Sequence, residues 1–160
     1  MIIHPFEPFY DKDSEILILG SFPSVGSREA GFYYGHKSNR FWRVLACIFG
    51  EGVPVTITQK KDFLKSHRIA LWDVIESCEV ENSADSSIRN VKVNDVNSVL
   101  KDSNIKKIIT NGNLASKLYN THLVKLTGIK AVNLPSTSAA NASYSLERLC
   151  KKWAEAIDKT

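Results

Sequence analysis

Apolar and polar residues alternate along the chain in a pattern that predicts short strands separated by longer helices. Continuous apolar runs are typical of parallel strands buried on both faces, and four occur, at residues 15–20, 69–74, 105–110 and 129–134. Several intervening segments repeat apolar residues at the 3.6-residue spacing of amphipathic helices. We therefore expect helices after a cap at Ser38, over residues 94–103, through residues 114–119, and after a cap at Ser145.

Strands that alternate with helices point to one architecture. Because each strand is apolar throughout, the pattern predicts an α/β fold, a three-layer sandwich whose central four-stranded parallel sheet has helices on both faces. The polar, serine-rich segment 82–94 is expected to be a surface loop. The sequence contains no internal repeat or linker, so it predicts a single domain over residues 1–160.

Composition narrows the class of protein. The 160 residues are 43% hydrophobic and 24% charged, an ordinary globular composition. No apolar run approaches the roughly 18–20 residues of a membrane helix, and the first ten residues lack the features of a signal peptide. Three scattered cysteines and four histidines form no disulfide framework or metal-binding pattern, so we expect an intracellular, cytoplasmic location and no metal. A net charge of +4 permits a nucleic-acid partner without requiring one.

Ligands of parallel α/β sheets bind where the strands end, which directs attention to the loops that follow them. The loop after the first strand, residues 20–39, has four glycines and a cluster of aromatic residues. A glycine-rich loop between strand and helix can hold phosphate with its backbone N–H groups. The loop matches neither of the common nucleotide-binding fingerprints, so no organic cofactor is indicated. It could equally be a long connection whose aromatic side chains pack onto the core.

The loop after the last strand, residues 134–143, is rich in small and hydroxyl-bearing residues. Such a loop can lie against a sugar–phosphate backbone and offer hydroxyl and amide hydrogen bonds without bulk. The alternative is a plain polar connection before a capped helix.

Three segments in these loops together resemble a known family. They are Gly20-Ser-Phe-Pro-Ser24, Tyr33-Tyr-Gly-His-x-x-Asn39-x-Phe-Trp42 and Leu134-Pro-Ser-Thr-Ser-x-x-Asn-Ala142. Their order and their placement after strands resemble the uracil-DNA glycosylase superfamily, most nearly its hypoxanthine-DNA glycosylase branch, with the mismatch-specific uracil-DNA glycosylases as near relatives. Shorter similarities are Ala70-Leu-Trp-Asp-Val74, Ser83-x-Asp-Ser-x-Ile88 and Asn111-Gly-x-x-Ala115.

The resemblance implies an activity on damaged DNA. A monofunctional glycosylase of this family hydrolyses the N-glycosidic bond of a flipped-out deaminated base and needs no cofactor. The branch implies hypoxanthine as the preferred base, with uracil and xanthine as further candidates, and nothing in the sequence calls for more than a monomer. Two alternatives stay open: a non-catalytic binder of damaged or single-stranded nucleic acid on the same fold, and a small-molecule enzyme on a similar scaffold.

By resemblance, Asn39 is the catalytic residue, which positions the attacking water or contacts the base. An uncharged amide can orient water but is a poor general base, so it would act by positioning. The competing interpretation is a structural asparagine at the start of the following helix. Asp73, at a strand end, is a carboxylate that could do acid–base work.

Four residues are candidates for binding the base. Tyr34 stands where relatives carry the aromatic that stacks on the base, although core packing is its alternative. Phe22 replaces the asparagine or aspartate of other branches, so it would offer a backbone amide and a hydrophobic wall. His36 could donate to the base or to a phosphate, or be structural. Asn111 could reach the base edge, but the Asn-Gly turn is the interpretation that we favour.

A further set of residues would contact the DNA backbone. The family usually has proline where Lys37 and Ala139 stand; Lys37 would add a phosphate contact, and Ala139 would lie near the gap that the base leaves. The full set of DNA-binding candidates is Ser24, Lys37, Ser136, Thr137, Ser138 and Ala139.

Overall fold

The secondary structure follows the predicted alternation of strands and helices over most of the chain. The computed structural model of the protein describes residues 2–80 and 88–157. Within these residues the strands are β1 (Ile2–Ile3), β2 (Ile16–Gly20), β3 (Ile69–Asp73), β4 (Ile75–Val80), β5 (Ile88–Val93), β6 (Lys107–Asn111) and β7 (Val132–Leu134). The helices are α1 (Val25–Ala30), α2 (Phe41–Phe49), α3 (Ile57–Ser66), α4 (Val96–Lys101), α5 (Asn113–His122), α6 (Val124–Thr127) and α7 (Leu146–Ile157).

The central sheet consists of four parallel strands in the order β3-β2-β6-β7. Every residue of β2 and β3 is buried. Their sequences are apolar throughout because a parallel sheet is covered on both faces, so neither side of the strand meets water. The predicted α/β fold around a four-stranded parallel sheet is confirmed.

The register of the sheet brings the ends of its strands to one edge. Gly20, the last residue of β2, lies opposite Asp73, the last residue of β3. On the other side of the sheet, Asn111 at the end of β6 lies opposite Leu134 at the end of β7. The loops that leave these strands therefore start side by side, which is where α/β folds bind their ligands.

A second sheet, of antiparallel strands in the order β1-β4-β5, corrects one prediction. Segment 82–94 was expected to be a surface loop, but its later part is strand β5, which pairs with β4. The strand has no continuous apolar run because Arg89, Asn90 and Lys92 are exposed, so it has the composition of a loop. The similarity over residues 83–88 falls largely outside the described residues.

The four predicted helices are found where they were expected, but only one of the two predicted N-caps is confirmed. Ser145 caps α7, since its hydroxyl accepts a hydrogen bond from the Arg148 N–H at 3.1 Å. Ser38 does not cap α2: the helix begins at Phe41, whose N–H donates to the Asn39 side chain at 2.9 Å. Helices α1, α3 and α6 were not predicted.

Two buried tryptophans tie the helices to the loops of the sheet edge. The Trp42 indole on α2 donates to the Tyr33 carbonyl at 3.2 Å, and the Trp153 indole on α7 donates to the Pro135 carbonyl at 3.0 Å. Phe41, the first residue of α2, packs edge-on against Trp153 of α7, with ring centroids 6.1 Å apart. The core aromatics thus fix the positions of the two loops that contain the motifs, residues 20–39 and 134–143 (the motif loops), as well as the packing of the helices.

The indole hydrogen bond of Trp153 can be tested by substitution. Trp153→Phe removes the donor to the half-buried Pro135 carbonyl, and the net loss of such a hydrogen bond costs about 0.5–1.5 kcal/mol. The matched control is Trp72→Phe, because the Trp72 indole N–H is also buried but makes no hydrogen bond with the described residues. In urea denaturation followed by circular dichroism, Trp153→Phe should lower the free energy of unfolding by that amount more than Trp72→Phe does. Equal losses would contradict a role for the hydrogen bond.

Candidate active site

Three polar side chains from three separate segments form one hydrogen-bonded network at the carboxyl edge of the sheet. The Asn111 amide donates to the Thr137 hydroxyl at 3.1 Å, and its oxygen accepts from the Thr137 N–H at 3.0 Å. The Thr137 hydroxyl in turn donates to the Asn39 side-chain oxygen at 2.8 Å. Thr137 is fully buried, so it bridges the loops after β2, β6 and β7 from inside.

The network gives Asn39 a defined orientation. Its side-chain oxygen accepts two hydrogen bonds, from the Thr137 hydroxyl and from the Phe41 N–H. Both lone pairs of that oxygen are therefore used, while the amide NH₂ group has no partner among the residues described. The structural and the catalytic interpretations of Asn39 are compatible: the oxygen is held at the start of α2, and the NH₂ group remains available as a donor.

Tyr34 lies next to this network in a strained backbone conformation. Its φ of 54° is in the left-handed region, and its ring stacks on Phe41 with centroids 4.1 Å apart. The hydroxyl is buried without a hydrogen-bond partner in the described part of the chain. Burial raises the pKa of Tyr34, the Asp73 carboxylate raises it further, and the neighbouring Asn111 side chain opposes the shift. The phenol therefore stays protonated at neutral pH.

Gly20 is required where Tyr34 and Asp73 converge. A Cβ atom at Gly20 would lie 2.4 Å from the Asp73 carboxylate and 3.0 Å from the Tyr34 hydroxyl. Any other residue would displace one of these groups, because real Cβ atoms do not approach oxygen so closely. The glycine thus lets a carboxylate and a phenol lie against the backbone of the central strand.

The Asp73 carboxylate is paired with a residue that the sequence patterns did not single out. His4 Nε2 lies 2.7 Å from Asp73 Oδ2, and the two side chains are only 2% and 4% exposed. The other His4 ring nitrogen faces the backbone of Phe6. Nothing in the sequence near His4 marks it, because its partner is 69 residues away. Asp73 is therefore engaged inside the fold rather than open to solvent.

Phe22 forms a wall beside this pair. Its half-buried ring meets the His4 ring edge-on, with centroids 5.7 Å apart, and the Arg28 guanidinium lies 5.7 Å from its centre. Phe22 therefore presents an aromatic surface just after the end of β2.

The other candidates of the first loop lie outside the network around Thr137. Ser24 caps α1, since its hydroxyl accepts from the Ser27 N–H at 3.1 Å. The exposed His36 accepts from the Ser38 N–H at 3.1 Å and contacts the Ser38 hydroxyl at 2.6 Å. Lys37 is exposed, and no hydrogen bond joins its side chain to the described residues. These three residues stay predictions as DNA or base contacts.

The loop between β7 and α7 presents a different mixture of buried and accessible groups. Ser136 and Ser138 are half-buried, with hydroxyls that accept from the N–H groups two residues further on at 3.1 and 3.2 Å. Ala139 is exposed at the tip. The fully buried Thr137 side chain does not reach the surface, so any contact of this residue with DNA would be indirect.

Arg40 is a second residue that sequence reasoning missed, since it occupies an unspecified position of the motif around Asn39. Its guanidinium donates to four backbone carbonyls of the β7–α7 loop, at Thr137, Ser138, Asn141 and Tyr144. The backbone N–H of Arg40 also donates to the Thr137 carbonyl, at 3.0 Å.

Neither a metal-binding cluster nor a membrane-spanning helix occurs within the described ranges. No group of three or more His, Cys, Asp and Glu side chains within residues 2–80 and 88–157 is placed to hold a metal ion. Nor does that part of the chain contain a helix long and apolar enough to cross a membrane.

The buried His4–Asp73 pair predicts a large effect on stability. His4→Leu leaves the carboxylate buried without its partner and should lower the free energy of unfolding by about 3–5 kcal/mol in denaturant titrations. Adding Asp73→Asn should recover part of the loss. The control is Glu15→Gln, which breaks the exposed Glu15–Arg68 pair and should change the free energy of unfolding little, because water screens such a pair. A similar, small loss for His4→Leu would show that the pair is not a buried constraint.

Comparison with known proteins identifies the family. The model of the uracil DNA glycosylase superfamily matches residues 7–159. A hypoxanthine DNA glycosylase of Methanosarcina barkeri is 35% identical over 157 residues, 96% of this chain and 97% of the relative. One of Methanosarcina acetivorans is 38% identical over 151 residues, 92% of this chain and 94% of the relative. A solution NMR structure of a protein provisionally assigned as a uracil DNA glycosylase, also from M. acetivorans, has a TM-score of 0.82 at 34% identity, covering 95% of this chain and 94% of its own. The chain belongs to the uracil DNA glycosylase superfamily.

Proposed function

We propose that this protein is a monofunctional DNA glycosylase that excises deaminated bases, preferentially hypoxanthine, after flipping them out of the duplex. The observation that carries the proposal is the free amide NH₂ group of Asn39, held in place through its oxygen at the edge of the sheet. The preference for hypoxanthine is supported by two relatives of that name that match nearly the whole chain.

Hydrolysis breaks the bond between C1′ of the deoxyribose and N9 of the purine. The bonding electron pair leaves with the base, and the resulting oxocarbenium-like sugar takes up water at C1′. The proton that this water releases balances the negative charge of the departed base, so the products are the free neutral base and an abasic sugar. Negative charge develops on the base, and a preorganised N–H donor stabilises such charge most in a site that excludes water. Asn39 has the required donor, which would hold the departing base or the oxygen of the attacking water.

The flipped base needs an aromatic surface and a wall. Tyr34 is only partly buried and has one face on Phe41, so its opposite face is the proposed stacking surface. Stacking of a base on an aromatic ring contributes about 1–3 kcal/mol. Phe22 would close the side of the pocket, and the Asn111 side chain, which is already bonded to Thr137, would hold the pocket rather than read the base edge.

The DNA backbone would run along the two motif loops. Ser24, Lys37, Ser136 and Ser138 are accessible or partly accessible polar side chains on these loops, and Ala139 projects from the tip. Basic residues continue this surface onto α7: Arg148 stacks on the Tyr144 ring at 4.3 Å, and Lys152 lines a groove together with Ser136 and Ser138. We further propose that residues 1–160 act as one domain and as a monomer, in the cell compartment that holds DNA.

Excision can be measured with labelled duplexes that carry one hypoxanthine, uracil or xanthine, treated with hot alkali after incubation. Strand breaks that need the alkali and are most abundant for hypoxanthine are the expected result. Asn39→Ala should slow single-turnover excision by about 100- to 1000-fold, the usual loss when one donor to a developing charge is removed.

The control variant is Asn120→Ala, which removes an exposed amide from α5 and should leave the rate unchanged. If no lesion is cut while the duplexes still bind, the protein is a non-catalytic lesion binder and the proposed activity is wrong. If Asn39→Ala cuts as fast as the parent, the activity stands but Asn39 does not carry it.

A further inference from the structure

Arg40 makes more connections between the two motif loops than any other described side chain. Its Nη2 donates to the carbonyls of Ser138 at 2.8 Å and Asn141 at 3.1 Å, and its Nε donates to that of Thr137 at 3.4 Å. Its Nη1 donates to the carbonyl of Tyr144. One side chain thus contacts the β7–α7 loop from its buried start to its end at the helix.

The chemistry of the guanidinium explains why arginine fits this position. A guanidinium presents five N–H donors in a rigid plane, whereas a lysine offers three from a single point. Over the described ranges no carboxylate forms a salt bridge with Arg40, so backbone carbonyl dipoles alone hold the half-buried cation. Such a group requires its hydrogen bonds, because an unpaired charge is costly to bury.

The loop's own hydrogen bonds do not attach it to the rest of the molecule. The Asn141 N–H donates to the Ser138 carbonyl, and the Asn141 amide donates to the Ser136 carbonyl at 3.1 Å. These bonds give the loop an internal shape only. After Thr137, Arg40 is the one described side chain of the β2–α2 segment that donates a hydrogen bond to the loop.

We propose that Arg40 is a positioning residue, which holds residues 137–144 in the shape that contacts DNA and keeps Thr137 on Asn39. The inference rests on the proposed function. Arg40 follows Asn39 directly in the chain. The same short stretch of backbone therefore positions the Asn39 amide and the guanidinium that holds the loop containing Thr137. Arg148 on α7 still donates to the Ser143 carbonyl at 2.9 Å. Without the Arg40 guanidinium, however, the loop beyond Thr137 loses its hydrogen bonds to the segment that carries Asn39, and the Asn39 amide loses its fixed orientation.

A direct phosphate contact by Arg40 is the competing explanation, and two readouts separate it from positioning. A lysine keeps the positive charge but cannot donate to four carbonyls at once. Arg40→Lys should therefore lose excision activity only if the guanidinium positions the loop. Removing a phosphate contact also reduces the dependence of DNA affinity on salt, by about 1 in the slope of log K against log salt concentration. A positioning residue leaves that slope unchanged, because residues 136–139 carry no charge.

The experiment compares Arg40→Lys and Arg40→Ala in single-turnover excision of hypoxanthine and in DNA binding at several salt concentrations. The control is Arg43→Ala, an exposed charge three residues further along α2. In both Arg40 variants, the single-turnover rate constant divided by the Kd for DNA should fall about 100-fold, the size of effect that a misplaced catalytic group produces. The salt dependence of DNA binding should remain that of the parent. Arg43→Ala should stay within a few-fold of the parent. Wild-type activity in Arg40→Lys, or a slope reduced by about 1 in Arg40→Ala, would overturn the proposal.

Amide hydrogen exchange provides a test that needs no activity. In the free protein, the N–H groups of Asn141 and Tyr144 are bonded within the loop and should exchange faster in Arg40→Lys, while strands β2 and β6 stay protected. Unchanged exchange over residues 137–144 in that variant would also overturn the proposal. If the parent protein cuts no lesion, the proposed function fails, and the exchange result still decides whether Arg40 holds the loop. If Arg40→Ala does not fold, Arg40→Lys carries both measurements.

Discussion

The buried Thr137 hydroxyl is the point on which the arrangement of the site depends. It accepts from Asn111 and donates to Asn39, while the Thr137 backbone donates to Asn111 and accepts from Arg40. Each of these groups would cost about 1–3 kcal/mol if it were buried unpaired. The three loops must therefore close around this residue together, and the orientation of the Asn39 amide follows from that closure.

The register of the parallel sheet brings the three loops close enough to form these hydrogen bonds. Because Asn111 and Leu134 are paired in register at the ends of β6 and β7, Thr137 emerges within hydrogen-bond distance of Asn111 three residues later. On the other side of β2, the same edge brings Asp73 and Tyr34 together over Gly20. The candidate site is thus a consequence of strand register, and its chemistry is that of amides, hydroxyls and aromatic rings around one enclosed carboxylate.

Enclosure of Asp73 bears on what kind of catalyst this can be. A carboxylate that is bonded to His4 and 4% exposed is held as part of the framework. The Phe22 ring beside it supplies no proton acceptor. In the proposed reaction, the Asn39 amide would donate a hydrogen bond and the Tyr34 ring would stack on the base. Such a site suits a bond whose cleavage needs stabilisation of a leaving anion more than activation of water.

Local pattern was sufficient to predict the strands of the central sheet and the loops that leave them, because burial on both faces produces apolar runs that few other structures share. It was insufficient for β5, whose exposed polar residues have the composition of a loop. The missed helix α3 could have been predicted, because the Thr56–Gln59 capping box marks its start in the sequence.

In the site, Asn39 stood out through its motif, whereas His4 and Arg40 did not. Their roles come from partners 69 and about a hundred residues away, and no local spacing encodes such contacts. Thr137 was predicted to contact the DNA backbone because it lies in the motif that resembles the family, and a motif does not specify which way a side chain points. Only the fold shows that its hydroxyl points inward.

The most direct measurement of this account is a double-mutant cycle between Asn39 and Thr137 on single-turnover excision of hypoxanthine. Thr137→Val, which deletes the bridging hydroxyl at nearly constant volume, should slow excision in the parent, and Thr137→Ser, which keeps a hydroxyl, should not. In the Asn39→Ala background, Thr137→Val should have almost no further effect, giving a coupling energy of about 0.5–3 kcal/mol. Independent, additive losses would contradict the claim that Thr137 acts by orienting Asn39.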